Sequence, residues 1–244
     1  MKTFIAILLF LTLTGCAAQT TKVVWRVKDV VLSADPEIGL EGRNGEVMHM
    51  MATRTLQQMM LAHIRISRSA SVQSEFYLTD GDEPNAFAGP DINGRNIIGI
   101  NLGMVKLIGD DVNAYAALIG HESAHLAKGH ADASRLRANT LDLFGTFVGA
   151  GLGMAGVPAA GLIGGLSADL IDSAYSRDQE READAVGIEY MIANNYDPQA
   201  AIRLHEKILK HGSGLRLPFL SSHPSSEERI TNLKAVIETQ KPQQ

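Results

Sequence analysis

Residues 118–130 read LIGHESAHLAKGH, which sets three histidines and one glutamate in an otherwise apolar run. On a helix, His121 and His125 are four residues apart and project from one face, about 40° apart. Both imidazoles can therefore reach a single metal ion. Glu122, turned by about 100° from His121, is placed to hold a water beside that ion rather than to bind it. This HExxH spacing is that of zinc sites that hydrolyse peptide bonds. The flanking Leu118, Ile119, Ala124, Leu126 and Ala127 make the segment apolar, and ionisable groups there need partners or a metal to offset desolvation. The preceding Asp110 and Asp111 mark the helix start, with acid at the positive pole of its dipole.

A catalytic zinc takes three protein ligands and keeps one position open. His130 follows His125 by five residues and points elsewhere on the helix, so its expected role is packing or support of a ligand. The stretch SRDQEREADAVGIEY, residues 176–190, offers Glu180 and Asp184 at helical spacing four. Taken alone, EREAD reads as a solvated helix face with Arg181 as ion-pair partner. Beside the histidine helix, Glu180 can supply a third ligand and Asp184 can accept a hydrogen bond that fixes a ligand histidine's tautomer.

Working outward, residues 43–66 read as a helix with Val47, Met51, Leu56, Met59 and Ile66 among its apolar positions. EFYLTD and IIGINLGMVKLI read as two short strands joined by the turn-rich GDEPNAFAGPDINGRN. Residues 177–194 are helical in pattern, and the tail from Asp197 holds one or two further helices. Residues 143–168 carry no charge. A single membrane pass there would put His121 and His125 on one side and Glu180 on the other, and two passes need about 40 apolar residues. With eight glycines and Pro158 in the segment, a helical hairpin is expected, packed on the catalytic helices or lying on a membrane surface.

The chain has 244 residues, 45% hydrophobic and 20% charged, with a formal charge of −5. That suffices for one sizeable core and excludes the basic surface a nucleic-acid binder needs. The N-terminal MKTFIAILLFLTLTGCAAQ has Lys2, an apolar stretch from Phe4 to Leu13 and then small residues, the form of a secretory signal. Its LTGC ending resembles the lipobox of bacterial lipoproteins, with cleavage before Cys16 and acylation of it. Cys16 is the single cysteine, so an exported chain has no disulfide available and its one thiol lies where the lipid would go. Ala17 rather than aspartate after it fits the outer-membrane sorting pattern. The expected organisation is a signal peptide over 1–15, a lipidated tether over 16–42 and a catalytic domain over 43–240.

Four segments in order, NAFAGPDINGRNIIGINLGMV, LIGHESAHLAKGH, SRDQEREADAVGI and SSHPSSEERI, resemble the zinc metallopeptidase family of the CAAX prenyl endopeptidases, HtpX and BepA. They span residues 85–230. The resemblance implies an α+β fold, a mainly helical, gluzincin-like zincin domain with a small β-sheet beside the HExxH helix. It implies one zinc ion per chain held by His121, His125 and Glu180, with Glu122 as general base and Asp184 in support. It also brings His223, in an HP segment, to the zinc as a fourth, displaceable ligand. The chain lacks the transmembrane helices of some members and the C-terminal helical repeats of others, so it is expected to be a short lipoprotein member. The expected activity is endopeptidase cleavage of unfolded or misassembled envelope proteins, at the periplasmic face of the outer membrane. NIIGIN is the expected edge strand for an extended substrate. The competing reading is a chaperone-like lipoprotein that binds clients and cleaves little.

Overall fold

The computed structural model describes residues 24–34, 37–41, 47–51, 53–91, 93–130, 175–212, 218–224 and 227–240. The signal peptide expected at 1–15, Cys16, the first part of the tether and the uncharged 143–168 segment lie outside these residues. In chain order the described elements are β1 (Val24–Arg26), α1 (Val27–Leu32), β2 (Glu37–Glu41), β3 (Val47–Met51), α2 (Arg54–Ser69), β4 (Glu75–Thr79), β5 (Ala86–Pro90) and β6 (Asn96–Asn101). They continue as α3 (Leu102–Ile108), α4 (Val112–Ala127), α5 (Arg177–Ala193), α6 (Gln199–Gly212), α7 (Pro218–Ser222) and α8 (Glu227–Thr239). This mainly helical α+β arrangement is the expected fold class.

Helix α4 is the axis around which the rest is laid. Asp111 caps its N-terminus by accepting the N–H groups of Asn113 (3.1 Å) and Ala114 (3.2 Å). Every residue from Ala114 to His125 is buried, as befits a helix that is apolar on all sides. It packs against α2, α5, α6 and the strands β5 and β6. The small residues let the backbones come close: a Cβ on Gly120 would meet the Gly187 carbonyl oxygen at 3.1 Å, and one on Gly187 would meet the His121 amide nitrogen at 3.0 Å. This glycine contact brings α5 against α4 beside the first histidine. A capping box starts α5, with Gln179 N–H donating to Ser176 Oγ and the Ser176 N–H donating to the Gln179 side chain. Glu180 thus falls in the first turn, and Glu180, Asp184, Gly187 and Met191 share the buried face of α5.

The four-stranded sheet has the order β1-β4-β6-β5, with β4 and β6 parallel and the outer pairs antiparallel. Four sequence expectations are corrected here. NIIGIN is the inner strand β6, not an edge. Ile97, Ile98 and Ile100 are all buried, the continuous apolar pattern of a strand covered on both faces. AFAGP, assigned to a turn, is β5, the last strand in the order among the described residues; Pro90 is tolerated there because its missing N–H would face away from β6. The helix expected from residue 43 starts at Arg54, where Thr53 accepts the Leu56 N–H at 3.1 Å. VMHMM pairs instead with Glu37–Glu41 as a hairpin. Within the expected tether, Val24, Trp25, Val27 and Val30 are core residues, because β1 pairs with β4 and α1 packs on α2.

On α2, His63 stacks on Phe76 and its Nε2 lies 2.9 Å from Ser74 Oγ. Burial pushes its pKa down to about 4. Between that value and the ordinary value of about 6.5 the unfolded chain binds more protons than the folded one, so stability falls as pH drops through the window. The full loss, reached below the folded value, is on the order of 3 kcal/mol. His63→Gln should therefore lose less stability than wild type between pH 7 and pH 4, read from urea midpoints. Parallel pH profiles would show that His63 titrates alike in both states.

Candidate metal centre

Two helices and a short loop converge on one buried cluster. His121 and His125 come from α4, Glu180 from α5, and His223 from the turn after α7; one ligand atom from each lies within 4.8 Å of the other three. The individual separations are 3.0 Å for His121 Nε2 to His125 Nε2, 3.6 Å for His121 Nε2 to Glu180 Oε2, and 3.3 Å for His125 Nε2 to Glu180 Oε1. His223 Nδ1 is 3.4 Å from His121 Nε2 and 3.2 Å from Glu180 Oε1.

Two observations fit these residues to zinc. A tetrahedral ion with bonds of about 2.0–2.1 Å has ligand atoms about 3.3–3.4 Å apart, and the separations above scatter around that value. The charge also matches. Glu180 and Asp184 are buried carboxylates paired with one buried guanidinium, that of Arg229, and Glu122 is a third buried carboxylate beside them, an acidic surplus that a divalent cation would offset. Neutral imidazoles and a carboxylate form a borderline-soft donor set suited to zinc.

Outside this cluster the partners are laid out in order. His121 Nδ1 lies 3.0 Å from Asp184 Oδ1. His125 Nδ1 lies 3.0 Å from His130 Nδ1, and His130 Nε2 lies 3.3 Å from Glu182 Oε2, which sits in a carboxylate paired with Lys128. His130 thus stands behind a ligand, as its offset spacing implies. Arg229 was not singled out on sequence, where EERI is an ordinary charged helix start. Its guanidinium donates twice to Asp184 (Nε 2.8 Å, Nη2 2.6 Å) and also to Glu180 Oε2. Tyr175 was missed as well: its ring stacks on that of His125, with centroids 3.8 Å apart.

The electrostatics follow from burial. Desolvation pushes the Glu122 carboxyl up, opposed by His223, His121 and Arg229. Burial would also raise Glu180 and Asp184, but the histidines around Glu180 and the Arg229 guanidinium beside Asp184 outweigh it and hold both below the usual carboxylate range. His125 is pushed down by burial. Glu122 differs from the other two carboxylates in its contacts. Both of its oxygens are buried without a hydrogen-bond partner among the described residues, and His223 Nε2 lies 3.6 Å from Oε1. A buried carboxylate in that state needs a proton donor, such as water, brought to it.

A mainly helical α+β domain with these histidines and carboxylates on adjoining helices is the architecture of a zinc metallopeptidase. Residues 50–237 match the Peptidase family M48 model, and the chain belongs to that family. It is 27% identical over 150 residues to the metalloprotease LoiP of Escherichia coli, covering 62% of this chain and 57% of that one. It is 27% identical over 181 residues to the beta-barrel assembly-enhancing protease of Escherichia coli, covering 69% of this chain and 36% of that one. It is 30% identical over 176 residues to the mitochondrial metalloendopeptidase OMA1 of Schizosaccharomyces pombe, covering 70% and 49%. The chain thus spans between 36% and 57% of the length of these relatives.

Because Arg229 lies between two buried carboxylates, its removal should depend on the metal. Arg229→Leu is expected to cost about 3–5 kcal/mol in chelator-treated protein, the cost of breaking a buried ion pair. The cost should be smaller with zinc bound, since the ion then offsets the uncovered charge. Urea unfolding with and without zinc measures both, and equal losses would uncouple Arg229 from the metal site.

Proposed function

We propose that this protein is a zinc-dependent endopeptidase of the bacterial cell envelope that hydrolyses unfolded or misassembled proteins. The observation that carries this is Glu122, a buried carboxylate without a hydrogen-bond partner, set beside four converging metal-ligand atoms. A protein that only held clients would have no use for an unsatisfied base there. His121, His125 and Glu180 would hold the ion. When bound, zinc supplies Lewis acidity, polarising a scissile carbonyl and making water acidic enough to lose a proton near neutral pH. Glu122 takes that proton and delivers it to the leaving amine. Asp184 behind His121 and His130 behind His125 keep each ligand ring turned to the ion. Arg229 holds Glu180 and Asp184 in register.

His223, with Nδ1 3.4 Å from His121 Nε2 and 3.2 Å from Glu180 Oε1, would be a fourth ligand in the position that an attacking water needs. It is therefore a displaceable ligand that keeps the site closed until substrate arrives. An extended substrate would bind beside the sheet near α4, whose neighbour β5 is the last strand in the order among the described residues, through main-chain hydrogen bonds that demand little of its side chains. That mode of binding suits extended, unfolded polypeptide. The printed name of the beta-barrel assembly-enhancing relative supports the envelope substrate class. The apolar N-terminal stretch and LTGC support an acylated Cys16 and an outer-membrane position facing the periplasm. No described helix is long and apolar enough to cross a membrane.

One assay tests the centre of this reading. Purified full-length Glu122→Gln should keep one zinc per chain and its fold while losing nearly all cleavage of unfolded casein, whereas His223→Ala should keep zinc and cleave faster than wild type. Near-full activity in zinc-bound Glu122→Gln would remove it from the mechanism, and a marked loss in His223→Ala would make His223 a donor to the developing oxyanion instead of a gate. Separately, Cys16→Ser should abolish lipid labelling and membrane fractionation; a variant that keeps both would refute acylation at that cysteine.

A further inference from the structure

The buried face of α6 is Ala200, Ala201, Ile202, Leu204, His205 and Ile208, so a single imidazole stands in an apolar row. A ring with two nitrogens costs more to bury there than a leucine, and such a group calls for polar neighbours. One of them is Asp184, whose Oδ1 lies 3.9 Å from His205 Nε2. The same oxygen accepts from Arg229 Nη2 at 2.6 Å and lies 3.0 Å from Nδ1 of the ligand His121. That last pair is close but not aligned, and His121 Nδ1 has no hydrogen-bond partner among the described residues. A small turn of the Asp184 carboxylate would align it. Space for the turn exists: a cavity of about 20 Å³ is bordered by His121, Asp184, His205 and Arg229 together with apolar residues of α4, α5, α6 and α8. How well Asp184 meets His121 therefore depends on the groups that hold the carboxylate, Arg229 from α8 and His205 from α6.

We propose that His205 is a positioning residue of the metal centre: from α6 it sets the angle of the Asp184 carboxylate and, through it, the ring of His121. The inference rests on the zinc reading given above. At 3.9 Å the contact is electrostatic rather than a hydrogen bond, and in a core closed to water it is not screened away. Asp184 is an acceptor only, so the contact is attractive when Nε2 carries the ring's proton. Burial, with Arg229 adding to it, pushes the His205 pKa down to about 3. The ring is thus neutral at ordinary pH and brings no second cation beside Arg229. Arg229 by itself draws the carboxylate toward α8, since it donates to both oxygens. The imidazole N–H pulls Oδ1 from a second direction, and the balance of the two keeps that oxygen facing His121. A leucine at this position would fill the space and leave Oδ1 to Arg229.

His205→Leu keeps an apolar side chain in the row, whereas His205→Gln keeps an N–H near the place of Nε2. In full-length protein, the zinc dissociation constant from chelator competition should rise about threefold to tenfold in the leucine variant, less than the tenfold to hundredfold typical of groups that touch a ligand. The glutamine variant should recover most of that loss. Cobalt-loaded protein should repeat the pattern in the position of its visible bands, which report ligand geometry without turnover. In the Asp184→Asn background His205→Leu should weaken zinc no further, because the charge it acts on is gone. His205→Met, whose flexible chain fills the same space, takes the place of leucine if that variant does not fold. Equal losses in the leucine and glutamine variants would make His205 a packing residue and overturn the inference, as would an unchanged zinc affinity in His205→Leu. Losses that multiply in the double variant would overturn it too, since His205 would then act by another route. Wild type that takes up no zinc would sink the metal reading and this inference with it, a result distinct from zinc-bound wild type matched by His205→Leu.

Discussion

Nitrogen and oxygen lone pairs from His121, His125, Glu180 and His223 are directed at one small volume inside a dry core. Such groups repel one another and lose their water on burial, so their convergence costs free energy unless a cation occupies the centre. Much of the structure around them serves that arrangement. Gly120 and Gly187 let α5 approach α4 to backbone contact, the capping box sets the start of α5 so that Glu180 faces inward, and the turn after α7 brings in His223. Metal binding and folding are coupled in a site of this kind, because the unfolded chain holds the ligands far apart.

Charge balance is completed by a second layer. Arg229 enters from α8 and spans Asp184 and Glu180, while Asp184 in turn backs His121. A guanidinium suits this place better than a lysine ammonium would, since its planar fork meets two carboxylates at once and stays charged when buried. On the other side His130 and Glu182 form a chain running from His125 toward the surface. Asp184 and His130 thereby lie beside the outer nitrogens of His121 and His125, the place from which a partner orients a ligand ring.

One strand of the sheet borders the centre. β5 is short and built of small residues, with Pro90 at its end, and it survives as a strand because β6 offers a buried partner on one side. Its other side lies next to Tyr175 and the metal ligands.

How much of this was written in the sequence depends on the distance over which each cause acts. Spacing four on a helix is a local property, so His121 with His125, and Glu180 with Asp184, could be read as pairs before any tertiary structure was known. The start of α4 was legible for the same reason, from Asp110 and Asp111, and the span of α5 from its helical pattern. That the two pairs meet, and that His223 joins them, came from resemblance to a family and not from periodicity. The strand AFAGP was hidden because alanine, glycine and proline have weak strand preference, and only pairing with β6 makes them extended. The N-terminal Trp25 segment looked like tether because a three-residue strand carries too little pattern to be seen without its partner β4. Arg229 looked like a solvated charge at a helix start, and Tyr175 like any aromatic before a cap. Their roles arise when α8 packs on α5 and when the chain before α5 passes between β5 and His125. Helical periodicity is a property of neighbours along the chain, whereas burial, edge and convergence are properties of elements brought together, and these only the tertiary structure decided.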